Sequence, residues 1–326
     1  VCLVTSGPGA TNTVTGIASA YMDSIPVVVF TGQVPTSLIG NDAFQEVDIV
    51  GITRPCTKHN YLVKRTGDLA ETIKEAFHIA RSGRPGPVLV DIPKDVANTR
   101  ITYKKPEKIA MKSYNPTYKP NKRQLQKIAD LIAKAERPMI FAGGGVILSK
   151  GSEELTELAK KAQIPVTASL MGLGAFPGSD PLWLGMIGMH GTYRANMSTA
   201  HCDLLLSVGV RFDDRVTGKT DAFASQATIV HIDIDPTSIR KNIEVAIPVV
   251  GDCKTTLGEL GKMVSALDLK DLDKRRKPWL EQIEKWKSTT PLAYKQEDKI
   301  KPQYVIDKLY EITGGQAIIT TEVGQN

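Results

Sequence analysis

Short apolar runs alternate with stretches of helical period along most of this chain, and that rhythm confines it to βαβ units and parallel sheets. The runs are residues 1–5, 25–31, 87–92, 138–142, 164–168, 203–210, 228–234 and 317–323. Between them lie amphipathic segments. Leu125, Ile128, Ala129 and Ile132 fall on one helical face, with Asn121 placed to cap it. Val305, Leu309 and Ile312 do the same behind Pro302. The expected class is α/β, with doubly wound parallel sheets.

Two stretches break the rhythm. Residues 98–120 mix lysine, proline and tyrosine without a period and read as a linker. Residues 267–300 are densely charged and read as a connecting segment, with Trp279 and Trp286 as anchors on a surface. This leaves part of one α/β domain in 1–97, a complete one in 121–266 and the opening of a third in 301–326. Both ends look cut from a longer chain.

Composition excludes several classes. The apolar fraction is 41%, ordinary for a chain with full cores. No run approaches the roughly 18 apolar residues of a membrane span. The net charge of +6 comes from lysines in polar, proline-containing stretches, so it reads as solvated surface and not as a nucleic-acid stripe. Cys2, Cys56, Cys202 and Cys253 are widely spaced with no CxxC, which fits reduced thiols in a cytosol-like compartment.

Ligands of open α/β sheets sit beyond the carboxyl ends of the strands. Here those ends are rich in glycine and charge. One run ends in Gly143, Gly144 and Gly145, another in Ser169, Leu170 and Met171, and a third in "RFDDR", residues 211–215. A fourth ends in Asp233, Ile234 and Asp235, and "VAIPVVGD" ends in Gly251 and Asp252. The glycines do not complete GxGxxG, because the sixth position is Leu148. Asp235, before Pro236 and a helix-like "TSIRKN", reads as an N-cap. Asp233 could accept from ribose hydroxyls, and Arg211 and Arg215 carry donors suited to a pyrophosphate. Asp213 and Asp214 could equally just neutralise those arginines. Arg84 precedes a strand, and Met186, Met189 and His190 lie in a glycine-rich loop where soft side chains suit a flat ring or simply fill core. Together these features point to a nucleotide cofactor.

The stretches "TSGPGATNTVTGIASAYMDSIPVVVFTGQVP", "GNDAFQEVDIV", "TKHNYLV", "GRPGPVLVDIPKDV", "SLMGLGAFP", "GMHGTYRAN", "GVRFDDRVTGK", "VHIDIDP" and "TEVGQN" run nearly end to end. In them the chain resembles the large catalytic subunit family of biosynthetic acetohydroxyacid synthase (acetolactate synthase), whose members use thiamin diphosphate. The resemblance implies the later part of a pyrimidine-binding domain, a central FAD-binding domain and the start of a pyrophosphate-binding domain. It implies thiamin diphosphate, Mg2+ and a structural FAD as cofactors. The flavin positions it implies are Arg84, Gly143, Gly144, Leu170, Met171, Met189, His190, Arg211, Asp213, Arg215, Val216, Asp233, Ile234 and Asp252.

Phe44, Gln45 and Lys94 match the substrate channel, and Arg215 also matches the group that meets the second 2-keto acid. Val323, Gly324 and Gln325 match thiamin diphosphate contacts, whereas Asn326 stands where the family usually has histidine. The implied reaction decarboxylates pyruvate and transfers the two-carbon unit to pyruvate or 2-ketobutyrate, giving 2-acetolactate or 2-aceto-2-hydroxybutyrate. The implied assembly is a homodimer or homotetramer with active sites between subunits, together with a small regulatory subunit. No nucleic-acid or membrane partner is implied, and the compartment is the cytoplasm, or a plastid or mitochondrion in a eukaryote. The family's activating glutamate and its magnesium motif match nothing in these residues, so this stretch alone is expected to be inactive. The rival readings are a flavin-free catabolic acetolactate synthase, glyoxylate carboligase or oxalyl-CoA decarboxylase, and a non-catalytic nucleotide-binding module.

Overall fold

The computed structural model describes residues 1–109, 111–267 and 269–321. Two all-parallel sheets organise it. The first has four strands, β1 (Cys2–Val4), β2 (Val28–Gln33), β3 (His59–Leu62) and β4 (Val88–Pro93), in the order β1-β2-β4-β3. The second has six, β5 (Pro138–Ala142), β6 (Val166–Ala168), β7 (Trp183–Met186), β8 (Leu204–Val208), β9 (Thr228–Asp233) and β10 (Ile247–Val250), in the order β10-β9-β8-β5-β6-β7.

That second order decides where a ligand can sit. β5 lies in the middle, the chain runs outward through β6 and β7, and it then returns to the other side of β5 for β8. The direction of winding therefore reverses between β5 and β8. Helices that leave the two strands on opposite faces open a crevice at their carboxyl ends.

Helices cover both faces of this sheet. Helix Lys122–Lys134 buries Leu125, Ile128, Ala129 and Ile132 completely, and the Asn121 side chain caps it by accepting from the Arg123 amide at 2.9 Å. It packs with helices Ser152–Ala162 and Cys253–Ser265 over the strand residues Ile140, Val166, Leu206 and Val230. On the other face, helix Leu272–Thr289 brings Trp279, 3% exposed, against Met139, Phe141 and Leu205. The Trp279 indole N–H donates to the Pro138 carbonyl at 3.1 Å, which satisfies its one polar atom in the core. The tryptophan pair expected on the surface thus splits. Trp279 is a core residue, and Trp286 rests on it edge-on at 5.8 Å.

Four further expectations need correction. β3 was not anticipated: "HNYL" is polar and partly exposed, as an edge strand can be, and carries no apolar run. β7 lies inside what reads as a glycine-methionine loop, where Gly185 at φ 90° shifts the register against β6. Residues after Asp235 form turns and not a helix. Residues 317–321 form no strand. Ile318 is 96% exposed there, and an extended segment without a neighbouring ladder has nothing to pair with. The remainder of that run, with Val323, Gly324 and Gln325, lies outside the described residues. No described helix is long and apolar enough to cross a membrane.

Candidate functional site

The crevice between β5 and β8 is built by backbone contact. Gly143 donates its amide to the Val208 carbonyl at 2.9 Å, and Gly145 donates to that of Gly209 at 3.1 Å. A Cβ on Gly143 would lie 2.1 Å from the Gly209 oxygen, and one on Gly145 would lie 2.6 Å from the Gly209 Cα. Gly209 itself has φ +62°, a conformation that favours glycine. The glycines therefore close one strand tip onto the other. Only at Gly144 does the nearest neighbour, Met171 Cβ at 3.1 Å, belong to another candidate residue.

The charged tip of β8 has a physical logic. Phe212 adopts φ +52° and turns its ring inward to 3% exposure. There it meets Phe141 and Phe223, each at 5.9 Å, and His231 at 5.0 Å. A buried aromatic thus pins the loop while its charged neighbours face out. Asn242 holds the same turn from outside, donating to the carbonyls of Arg211 at 3.2 Å and Phe212 at 3.0 Å. Asp213 caps the short helix Asp214–Thr217 by accepting from the Arg215 amide at 3.2 Å. Arg215 remains 70% exposed, with its Nε 3.8 Å from Asp214.

Other tips gather beside it. The Met189 amide donates to the Arg215 carbonyl at 2.8 Å, which joins the loop after β7 to the loop after β8. Asn196 clamps that loop through both backbone groups of Gly188, at 2.9 and 3.0 Å. The sequence reading did not single out Asn196 or Asn242; each lies away from the tip it holds, so no local signal marks it. Leu170, Met171 and Met189 are 67%, 48% and 64% exposed, so this edge presents apolar side chains to solvent beside arginines. The set suits a flat, phosphate-bearing cofactor.

Two contacts from the first sheet's unit reach this edge. Arg84 donates Nε to Ser24 at 2.9 Å and Nη1 to Asp235 at 3.2 Å. Arg211 reaches the Met22 carbonyl at 2.6 Å. Asp235 caps no helix; it accepts from the Thr237 amide at 2.9 Å to close a turn, and it anchors Arg84. Asp252 caps helix Cys253–Ser265 through the Thr255 amide at 2.9 Å. Ile234 lies between the two acids at the end of β9 and is partly exposed.

Asp233 is buried, and desolvation pushes its carboxyl up to about 6 despite the Asp235 amide that it accepts at 2.8 Å. Asp235, Arg84, His231 and Cys253 surround it. A carboxyl whose folded pKa lies above its unfolded value costs stability once ionised. That cost is absent below about pH 4 and complete above about pH 6. Asp233→Asn is therefore expected to stabilise the cofactor-free protein by about 2 kcal/mol at pH 7 and by almost nothing at pH 4. Denaturant midpoints at the two pH values check this; equal gains at both would remove the ionisation argument.

Phe44, Gln45 and Lys94 gather at the carboxyl edge of the first sheet instead. Gln45 packs its backbone on Gly7, whose absent Cβ would meet the Gln45 oxygen at 2.7 Å. Lys94 is exposed at the tip of β4, and its neighbour Asp95 accepts from the amide of Thr36, just past β2, at 3.0 Å. Among the described residues, no hydrogen bond or ion pair joins this group to Arg215. A cavity of about 850 Å3 lies elsewhere, lined by Arg137, His201, Lys274 and Trp286 at the amino end of the second sheet. It contains none of the candidate residues.

Residues 1–52 match the family described as Thiamine pyrophosphate enzyme, N-terminal TPP binding domain, and residues 125–260 match Thiamine pyrophosphate enzyme, central domain. The chain therefore belongs to the thiamine pyrophosphate enzymes. Within that class it is similar along its full length to acetolactate synthase large subunits. It is 50% identical to that of Buchnera aphidicola subsp. Acyrthosiphon pisum, covering 100% of this chain and 57% of the relative. It is 49% identical to the Escherichia coli (strain K12) isozyme 3 large subunit, with the same coverage, and 50% identical to the probable large subunit of Methanocaldococcus jannaschii, covering 56% of that protein. The chain thus spans little more than half the length of these curated relatives.

Proposed function

We propose that this chain is part of an acetolactate synthase large subunit, which converts two pyruvates to 2-acetolactate and carbon dioxide, or pyruvate and 2-ketobutyrate to 2-aceto-2-hydroxybutyrate. The observation that carries the proposal is the identity of about 50% along the whole chain with large subunits of that name. It favours this reading over other carboligases and over a nucleotide-binding module. Thiamin diphosphate, when bound with Mg2+, supplies the electron sink for decarboxylation and carbon–carbon bond formation.

The chain's own residues bind and orient. FAD is proposed for the carboxyl edge of the second sheet, where the exposed methionines and Leu170 offer an apolar bed and Arg84 and Arg211 offer donors. The proposed role of the flavin is structural, because the overall reaction involves no net redox change. Phe44 offers an exposed apolar wall, and Gln45 and Lys94 offer donors for a 2-keto acid carboxylate. These residues and Arg215 lie on different sheets, which suits active sites completed between subunits of a homodimer or tetramer. A small regulatory subunit and a reducing compartment complete the proposal. Thiamin-dependent formation of 2-acetolactate by the complete, flavin-containing protein tests it; absence of product with both cofactors and Mg2+ would overturn it.

Arg215 gives a sharper test. Its exposed guanidinium can donate two parallel hydrogen bonds to an acceptor carboxylate, which the lysine ammonium cannot reproduce. Arg215→Lys is expected to lower the preference for 2-ketobutyrate over pyruvate by roughly tenfold while flavin content stays full. Product partition with both keto acids competing measures this. An unchanged ratio at full flavin occupancy would assign Arg215 to bracing the loop alone.

A further inference from the structure

We propose that Glu46 is a positioning residue: it ties the loop 38–46 into the one shape that presents Phe44 and Gln45 to the 2-keto acid. The inference rests on the reading of those two residues as channel residues, and it extends that reading to a side chain outside the channel.

The loop is held in a shape that it would not keep unaided. Gly40 has φ +86°, and Asp42 and Gln45 have φ 53° and 59°, which L residues rarely adopt. Phe44 at its tip is 90% exposed, so ring packing does not fix it. Its place depends on the backbone, which Asn41 ties to the Leu38 and Ser37 carbonyls at its start, at 3.1 and 3.3 Å, and which one carboxylate spans beyond that point. One Glu46 oxygen accepts from the Gly40 amide and the other accepts from the Ala43 amide at 3.0 Å. The Glu46 amide in turn donates to the Ala43 carbonyl at 2.9 Å. These amides hold the Glu46 carboxyl below its ordinary value, so it is ionised at neutral pH.

The loop is also fastened at its edges. The Gln33 side chain donates to the Val47 carbonyl at 2.8 Å, and the Gln45 backbone rests against Gly7. Slack between these anchors would appear at residues 40–45, the segment that Glu46 spans. Glutamine at position 46 would keep the length but leave only one oxygen for two donors.

The test compares Glu46→Gln, Phe44→Ala and the double variant in the complete protein. Glu46→Gln is expected to lower kcat/KM for pyruvate roughly tenfold, to accelerate chymotrypsin cleavage after Phe44 by a similar factor, and to leave Tm and flavin content unchanged. The double variant should be no slower than Phe44→Ala alone, since Glu46 acts through that side chain. Wild-type kinetics in Glu46→Gln, or losses that multiply in the double variant, would overturn the proposal. Amide exchange of the wild-type protein adds an arm that needs no variant. Slow exchange at Gly40 and Ala43 supports the tie, and free-chain exchange there sinks it. If the wild-type protein makes no acetolactate, the functional reading fails, while exchange and cleavage still report whether Glu46 holds the loop.

Discussion

Replacing Gly143 with alanine is expected to destabilise the protein by about 3 kcal/mol and to abolish flavin retention. Gly143 has φ −114°, which any residue can adopt, so the requirement is for space alone. The added methyl would sit 2.1 Å from the Gly209 oxygen and 2.8 Å from Val210 Cγ1. Neither can yield easily. Gly209 donates its own amide to the Ile232 carbonyl at 2.8 Å, and Val210 is 3% exposed. The tips of β5 and β8 would have to part, and the crevice would widen. Melting of the complete protein and flavin absorbance after gel filtration read the two effects. A variant that melts like the wild type and stays yellow would show that the two tips are free to separate.

Replacing Arg276 with leucine should cost a similar amount, about 3 kcal/mol, with little change in kcat of the folded fraction. Arg276 is fully buried, and burial brings its guanidinium down to about 10, so it remains charged at neutral pH. It donates to the carbonyls of Ile132, at 2.6 Å, and Ala135, the open end of helix Lys122–Lys134. A helix end leaves such carbonyls without partners and carries partial negative charge, so an arginine there satisfies both needs. Leucine would keep the packing and strand the carbonyls. Arg275, which reaches the Ala133 carbonyl from an exposed position, serves as the control and should lose much less. Equal denaturant midpoints for Arg276→Leu and the wild type would show that water replaces the guanidinium.

Much of the fold could be read from local pattern. The helix Lys122–Lys134 announces itself through its cap and its four-residue face, and β5, β8 and β9 through continuous apolar runs buried on both faces. β3 could not be read this way, because its pairing with β4 depends on a neighbour distant in sequence. The tip loops were legible as glycine and charge, but their division of labour was not. Gly143 and Gly209 serve each other, Asp213 and Asp252 cap helices, and Phe212 gives its loop direction from inside the core. Glu46 stood in full view within "GNDAFQE", yet its two amide partners became visible only once the loop was folded.

The connector between the two sheets has a mechanical consequence. A free coil of about 20 residues would let its ends wander some 25 Å apart. This one is fastened at Tyr118, whose hydroxyl accepts from the Gly83 amide at 2.8 Å and whose carbonyl accepts from the Asp252 amide at 2.9 Å. Tyr114 adds a second fastening, donating to the Ser82 carbonyl at 2.8 Å and accepting from Lys58 at 2.9 Å. Fastenings along the coil, and not its contour length, therefore set the leash between the halves. The junction works as a rivet and not as a tether: Tyr118 is held against both halves at once, and the contacts of Arg84 with Asp235 and of Arg211 with the Met22 carbonyl brace them beside it.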